Sequence, residues 1–74
     1  MSQIYSHRLI SLYDKCHRAK HQLYVYSKKT MCRVKNILEL EAFRLTHHES
    51  DYLIVVEGNK AKYLLRSFEG ENLA

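Results

Sequence analysis

Between positions 24 and 35 the chain interleaves two tyrosines with four bases: Tyr24, Tyr26, Lys28, Lys29, Arg33 and Lys35. These residue types suit one chemistry. Lysine and arginine contact phosphate oxygens, and exposed tyrosine rings offer faces on which unpaired bases stack. The surrounding sequence extends the pattern. Residues 1–36 hold eight Lys/Arg, Arg8, Lys15 and Arg18 among them, against a single acid, Asp14, a net of +7. Residues 37–74 hold four bases against seven acids, a net of −3. The overall charge of +4 therefore conceals a basic N-terminal half suited to an anionic partner, either nucleic acid or an acidic protein surface.

Other groupings point to less. His17 and His21 are four apart and share a helical face with Asp14, which makes these three the nearest approach to a zinc-type ligand set. Lys15, Arg18 and Lys20 oppose a cation there, and no glutamate follows the first histidine as a general base. No metal and no cofactor is expected. His47 and His48 are adjacent, so on a helix they point about 100° apart and cannot chelate one ion; at a helix C-terminus they complement the dipole. The chain has no glycine-rich phosphate loop, serine-nucleophile motif or paired carboxylates. The expectation is a protein without enzymatic activity. A small metal-independent ribonuclease assembled from His, Arg, Lys and Tyr is the third and least favoured reading. Cys16 and Cys32 lack Cys-x-x-Cys spacing and read as reduced thiols of an intracellular, cytoplasmic protein, with a single bridge between them as the alternative. No secretory signal opens the chain. The longest apolar run, Tyr52 to Val56, falls far short of the roughly 20 residues that span a membrane.

The elements that must position these residues can be read from periodicity. With no proline and glycine only at 58 and 70, boundaries rest on caps. Residues 3–20 read as an amphipathic helix with Tyr5, Leu9, Leu12, Cys16 and Ala19 (or Leu23) on its buried face and Ser2 as N-cap. Leu23 to Ser27 alternates as a strand. Residues 30–35 fit either a returning strand or the opening of the next helix. The strand is preferred, because Asn36 and Glu39 have capping-box spacing and start the helix after Lys35. Lys28-Lys29 is a poor two-residue turn, since such turns favour positive φ, so a longer loop or no hairpin is expected. If the hairpin forms, Leu23, Val25, Cys32 and Val34 face the core, while Tyr24, Tyr26 and Arg33 face out. Residues 37–48 read as a helix burying Ile37, Leu38, Ala42 and Leu45, broadened by Leu40 and Phe43. Asp51 to Glu57 reads as a strand turning at Gly58-Asn59 into a return over 60–68, pairing Glu57 with Lys60, Val55 with Lys62 and Leu53 with Leu64. The face carrying Leu53, Val55 and Leu64 is apolar and calls for cover by a helix or by a second copy in a homodimer.

The order strand, loop, helix, strand, tight turn, strand across residues 23–68 resembles the first part of the phosphocarrier protein HPr, closest over Ser50 to Ala61. That family places a phosphorylatable histidine, followed by Ala or Thr, Arg and Pro, before its first helix. The matching stretch here reads Met31-Cys32-Arg33-Val34-Lys35, with neither histidine nor proline, so the resemblance implies no phosphocarrier activity.

The expected architecture is one α+β domain over residues 1–74, with 69–74 as a frayed tail. It comprises an N-terminal amphipathic helix, a strand or β-hairpin, a second helix and a C-terminal β-hairpin, the strands forming a small, mainly antiparallel sheet packed on the helices. The expected function is that of a small regulator binding nucleic acid through Arg8, Lys15, Arg18, Tyr24, Tyr26, Lys28, Lys29, Arg33 and Lys35. The alternative is a protein-binding inhibitor or adaptor docking on a larger enzyme, those that handle nucleic acid included.

Overall fold

A computed structural model describes residues 2–59 and 61. Over these residues the chain is α+β, with a four-stranded antiparallel sheet packed on two α-helices. Strand β1 (Ser2–Tyr5) leads through a 3-10 turn (Ser6–Arg8) into α1 (Leu9–Arg18). Strands β2 (Gln22–Tyr26) and β3 (Met31–Val34) form a hairpin, then α2 (Ile37–Thr46) leads to β4 (Asp51–Glu57). The spatial order is β1-β4-β2-β3. Because β1 and β2 are both antiparallel to β4, they run parallel to each other, with α1 as their crossover. In the same way β3 and β4 flank β2, with α2 between them in sequence. The two crossovers interlock, each bracketing a strand contributed by the other.

One face of the sheet carries the core. Ile4, Leu23, Val25, Val34, Tyr52, Ile54 and Val56 from the strands meet Leu9, Leu12 and Cys16 of α1 and Leu40 and Phe43 of α2. Full burial of aliphatic side chains such as Leu9, Leu12 and Leu40 stabilises the fold by about 1.5–3 kcal/mol each. Tyr52 ties α2 to β4: its ring packs on Phe43, with centroids 6.0 Å apart, and its hydroxyl donates to the His47 carbonyl at 2.7 Å while accepting from the Glu49 amide at 3.2 Å.

The expected helix over 3–20 is shorter at its N-terminus. Residues 3–5 are strand, with Ile4 buried between exposed Gln3 and Tyr5, and Ser2 opens β1 rather than capping a helix. The physical reason is the vacant edge of β4. The pairs Gln3–Leu53 and Ile4–Tyr52 satisfy its backbone groups, a gain that a helical turn at 3–5 would forfeit. Helix α1 ends in a Schellman motif, with the His21 amide on the Cys16 carbonyl (2.8 Å) and the Lys20 amide on the His17 carbonyl (3.2 Å). Lys20 occupies the left-handed position, at φ 59°.

Helix α2 begins at the expected capping box. The Glu39 amide donates to Asn36 Oδ1 at 2.9 Å, and the Glu39 carboxylate accepts from the Lys35 amide at 3.1 Å. Its buried face differs from the expected stripe. Leu40 and Phe43 enter the core, whereas Leu38 and Leu45 are 77% and 81% exposed, and Ala42 is exposed too. Phe43 fixes the rotation by packing its ring on Tyr52 of β4.

The return strand expected over 60–68 lies, apart from Ala61, outside the described residues. Ala61 is helical, and its amide donates to the Gly58 carbonyl at 3.3 Å. Leu53 stands between Gln3 of β1 and Tyr26 of β2. Gly58 itself is a close approach: a Cβ there would collide with the His21 ring.

Lys20 marks a backbone position where a side chain costs stability. Lys20→Gly should raise the unfolding free energy by about 1 kcal/mol, because the left-handed conformation penalises a Cβ by roughly that amount. Chemical denaturation checks this; an unchanged or lower midpoint would mean the motif tolerates lysine at no cost.

Candidate nucleic-acid interface

The β2–β3 hairpin assembles the central part of the predicted site. Alternation buries Leu23, Val25 and Val34 on the core side and turns Tyr24, Tyr26 and Arg33 to the opposite face. The register then builds two rows across that face. Gln3, Leu53, Tyr26 and Met31 form one; Val55, Tyr24 and Arg33 form the next. Both helices lie on the core side, so among the described residues no helix covers this outer face. Tyr24 and Tyr26 are half-buried by their strand neighbours, while Leu53 remains 44% and Met31 46% exposed.

The polar groups on this face are spaced to leave the rings between them. Arg33 Nε donates to Gln22 Oε1 at 2.8 Å, which uses one of the five donors of the guanidinium. Gln3 Nε2 donates to Asp51 Oδ2 at 2.8 Å. Asp51 and Glu57 sit at the two ends of β4, so the acids are confined to the margins.

Lys28 and Lys29 sit in a four-residue loop, 27–30, between β2 and β3, the longer connection expected in place of a two-residue turn. The only positive φ outside glycine among the described residues is at Lys20, so the loop does not use the left-handed conformation that a two-residue turn demands. Side chains hold it. Ser27 Oγ accepts from the amides of Lys29 (3.3 Å) and Thr30 (3.1 Å), and the Glu49 carboxylate accepts from the Lys28 amide at 3.0 Å. The Ser27 amide donates to the Thr30 carbonyl at 2.8 Å. Both lysines are exposed at the hairpin tip, and Lys35 is exposed just beyond β3.

Three predicted residues stand apart. Arg8 is half-buried at the end of the 3-10 turn, and Lys15 and Arg18 ride on α1. That places them in the helical layer, on the other side of the sheet from Tyr24 and Tyr26. Arg18 also pairs with Asp14 at 3.1 Å. The Asp14–His17–His21 grouping is likewise not assembled. His17 stacks on Tyr13 with centroids 5.7 Å apart, and His21 has left the helix, its Nδ1 lying 2.8 Å from the Ala19 carbonyl oxygen. Among the described residues no three His, Cys, Asp or Glu side chains converge on a position that could hold a metal ion.

Cys16 and Cys32 are free thiols. Burial pushes Cys16 up to about 11; burial, and then the nearby Glu39 carboxylate, push Cys32 up as well. Neither is set up as a thiolate nucleophile at neutral pH. No helix among the described residues is long and apolar enough to cross a membrane.

Sequence reasoning missed Tyr5, which is 53% exposed and stands opposite Asp51 at the edge of the outer face, its ring stacked on His7. The alternation of Gln3, Ile4 and Tyr5 was the signal. The step of four from Tyr5 to Leu9 masked it by imitating a helix.

The Ser27 hydroxyl has a testable share in presenting the lysines. Ser27→Ala should cost about 1 kcal/mol of stability and speed hydrogen exchange at the Lys29 and Thr30 amides. Unaltered exchange at both would show that the turn holds without it.

No family model matches the chain, and no solved structure matches it. A curated relative does. Over 61 residues, covering 82% of this chain and 68% of the relative, it is 56% identical to the uncharacterized protein YwjC of Bacillus subtilis (strain 168). At that identity and coverage, the chain belongs to the same family as YwjC.

Proposed function

We propose that the protein is a small intracellular regulator that binds single-stranded nucleic acid on the outer face of its sheet. One observation carries the reading: the strand register sets Tyr24 and Tyr26 on the same face, which no helix among the described residues covers, with Arg33 beside Tyr24 and Lys28 and Lys29 at the hairpin tip. A duplex hides the faces of its bases, whereas a single strand can lay them on tyrosine rings while its phosphates meet the bases at the margins. Leu53, Val55 and Met31 complete an apolar floor between the rings. The two free thiols accord with a reducing compartment. No catalytic step belongs to this function.

On this reading the binding set is smaller than the basic half. Arg8, Lys15 and Arg18 lie in the helical layer, so a strand on the outer face would be held by Lys28, Lys29, Arg33 and Lys35. Four phosphate contacts correspond to a salt dependence of log K with a slope of about −3. In fluorescence anisotropy with a labelled dT12 oligonucleotide, replacing both tyrosines (Tyr24→Ala/Tyr26→Ala) should weaken binding about 30-fold or more. Lys28→Glu/Lys29→Glu should weaken it and flatten the salt slope by about 1.4. An Arg18→Glu variant should bind like the wild type. Equal binding by the tyrosine variant, or a loss confined to Arg18→Glu, would sink the proposal.

A further inference from the structure

The sheet has a second unused feature, the outer edge of β3. In the order β1-β4-β2-β3 this strand is terminal, and among the described residues it pairs only with β2. The direction of its free groups follows from the ladder. The Ser27 amide bonds the Thr30 carbonyl, which makes that a hydrogen-bonded pair. Bonded and non-bonded pairs alternate in an antiparallel ladder. Val25–Cys32 and Leu23–Val34 are therefore the bonded pairs, and the amides and carbonyls of Met31 and Arg33 point away from the sheet.

These groups do not face open solvent alone. A groove of about 510 Å³ lies between β3 and α2, with Met31 and Cys32 on one wall and Glu39, Ala42, Phe43 and Thr46 on the other. Its volume is within the range of about 300–1,000 Å³ typical of specific sites. Beside Ala42, the exposed Leu38 and Leu45 form an apolar shoulder on the helix. At the hairpin end the groove meets a second hollow of about 330 Å³, which shares Thr46 and His47 and is rimmed by Lys28, Lys29 and His48. The acids nearby are engaged: Glu39 accepts from the Lys35 amide and Glu49 from the Lys28 amide.

We propose that the groove between the free edge of β3 and α2 receives an extended peptide segment of a partner protein, which adds to the sheet as a further strand. Its backbone would bond the outward groups of Met31 and Arg33. Apolar side chains would lie toward Ala42 and the Leu38–Leu45 shoulder, and an acidic residue would lie over Lys28, Lys29 and His48. Edge addition of this kind draws affinity from main-chain bonds and specificity from alternate side chains. Charge decides against a second copy of this chain. An antiparallel pairing of two β3 edges through Met31 and Arg33 has three registers. Centred on residue 31, it sets Arg33 against Lys29. Centred on residue 32, it sets Lys29 against Lys35. Centred on residue 33, it sets Arg33 against its own copy. Each places like charges opposite one another, which is destabilising. An acidic peptide meets the same charges favourably.

The test is selection of a displayed library of random dodecapeptides on the whole chain. The selected sequences should alternate apolar residues and carry Asp or Glu toward one end. Two variants locate them. Met31→Pro removes an outward amide without breaking a ladder bond to β2, and Ala42→Trp fills the groove from an exposed helix position. Each should weaken the selected peptides at least tenfold, and Ala42→Trp should leave dT12 binding unchanged, which separates this site from the outer sheet face. Several outcomes overturn the proposal: no enrichment, enrichment of basic sequences, or undiminished binding to Ala42→Trp. So do a concentration-dependent dimer that Met31→Pro abolishes, and slow exchange of the Met31 and Arg33 amides in the free protein, which would mean the edge is already filled.

Discussion

Strand β4 is the constraint on which the rest of the structure depends. It is paired on both sides, with β1 along Asp51–Ile54 and with β2 along Leu53–Glu57. Without it the sheet would be two fragments: the isolated strand β1 and the β2–β3 hairpin. Its inward residues Tyr52, Ile54 and Val56 are buried and stand at the centre of the core. The Tyr52 hydroxyl also holds the loop that returns from α2, so the order of the strands and the docking of the second helix are set by one element.

A central β4 also determines the character of each face. Both crossovers place their helices on one side, so the apolar side chains of the strands divide sharply. Those facing the helices are buried, apart from the half-buried Cys32, and those facing away, including Leu53, Val55 and Met31, are left with tyrosines, glutamines and Arg33. Two helices on one side leave the other face of the sheet without a helical layer among the described residues. That face and the β3 edge, which pairs only with β2 among the described residues, are two consequences of the same arrangement. They meet at the Lys28–Lys29 turn, whose amides are held by Ser27 and Glu49 rather than by a favourable turn sequence.

Local pattern revealed much of this and long-range pairing obscured the rest. The alternation of residues 23–26 and 31–34 indicated which side chains face the core, and the capping box at Asn36 located the start of α2. Three features were hidden. Tyr5, Leu9 and Leu12 imitate a helical stripe, although residues 3–5 pair with a strand some fifty positions away, a contact that no local window contains. In α2, apolar residues occur on nearly every side, at Ile37, Leu38, Leu40, Ala42, Phe43 and Leu45. The rotation could be known only from the partner ring of Tyr52. Finally, the place of β4 between β1 and β2 was hidden, because pairing between strands far apart in the chain leaves no local signal. For the candidate site, composition located the residues but could not divide them between two layers. Arg8, Lys15 and Arg18 share the charge of the hairpin bases without sharing their side of the sheet.

The central claim is that the uncovered face of the sheet, and not the helical layer, is the surface that meets an anionic strand. Backbone chemical-shift mapping in two-dimensional NMR during titration with unlabelled dT12 tests this directly. The account predicts that the largest shifts fall on Tyr24, Tyr26, Arg33, Leu53 and Val55 and on the Lys28–Lys29 turn, with α1 unaffected. Shifts gathered along α1 at Lys15 and Arg18, with Tyr24 and Tyr26 unmoved, would contradict it.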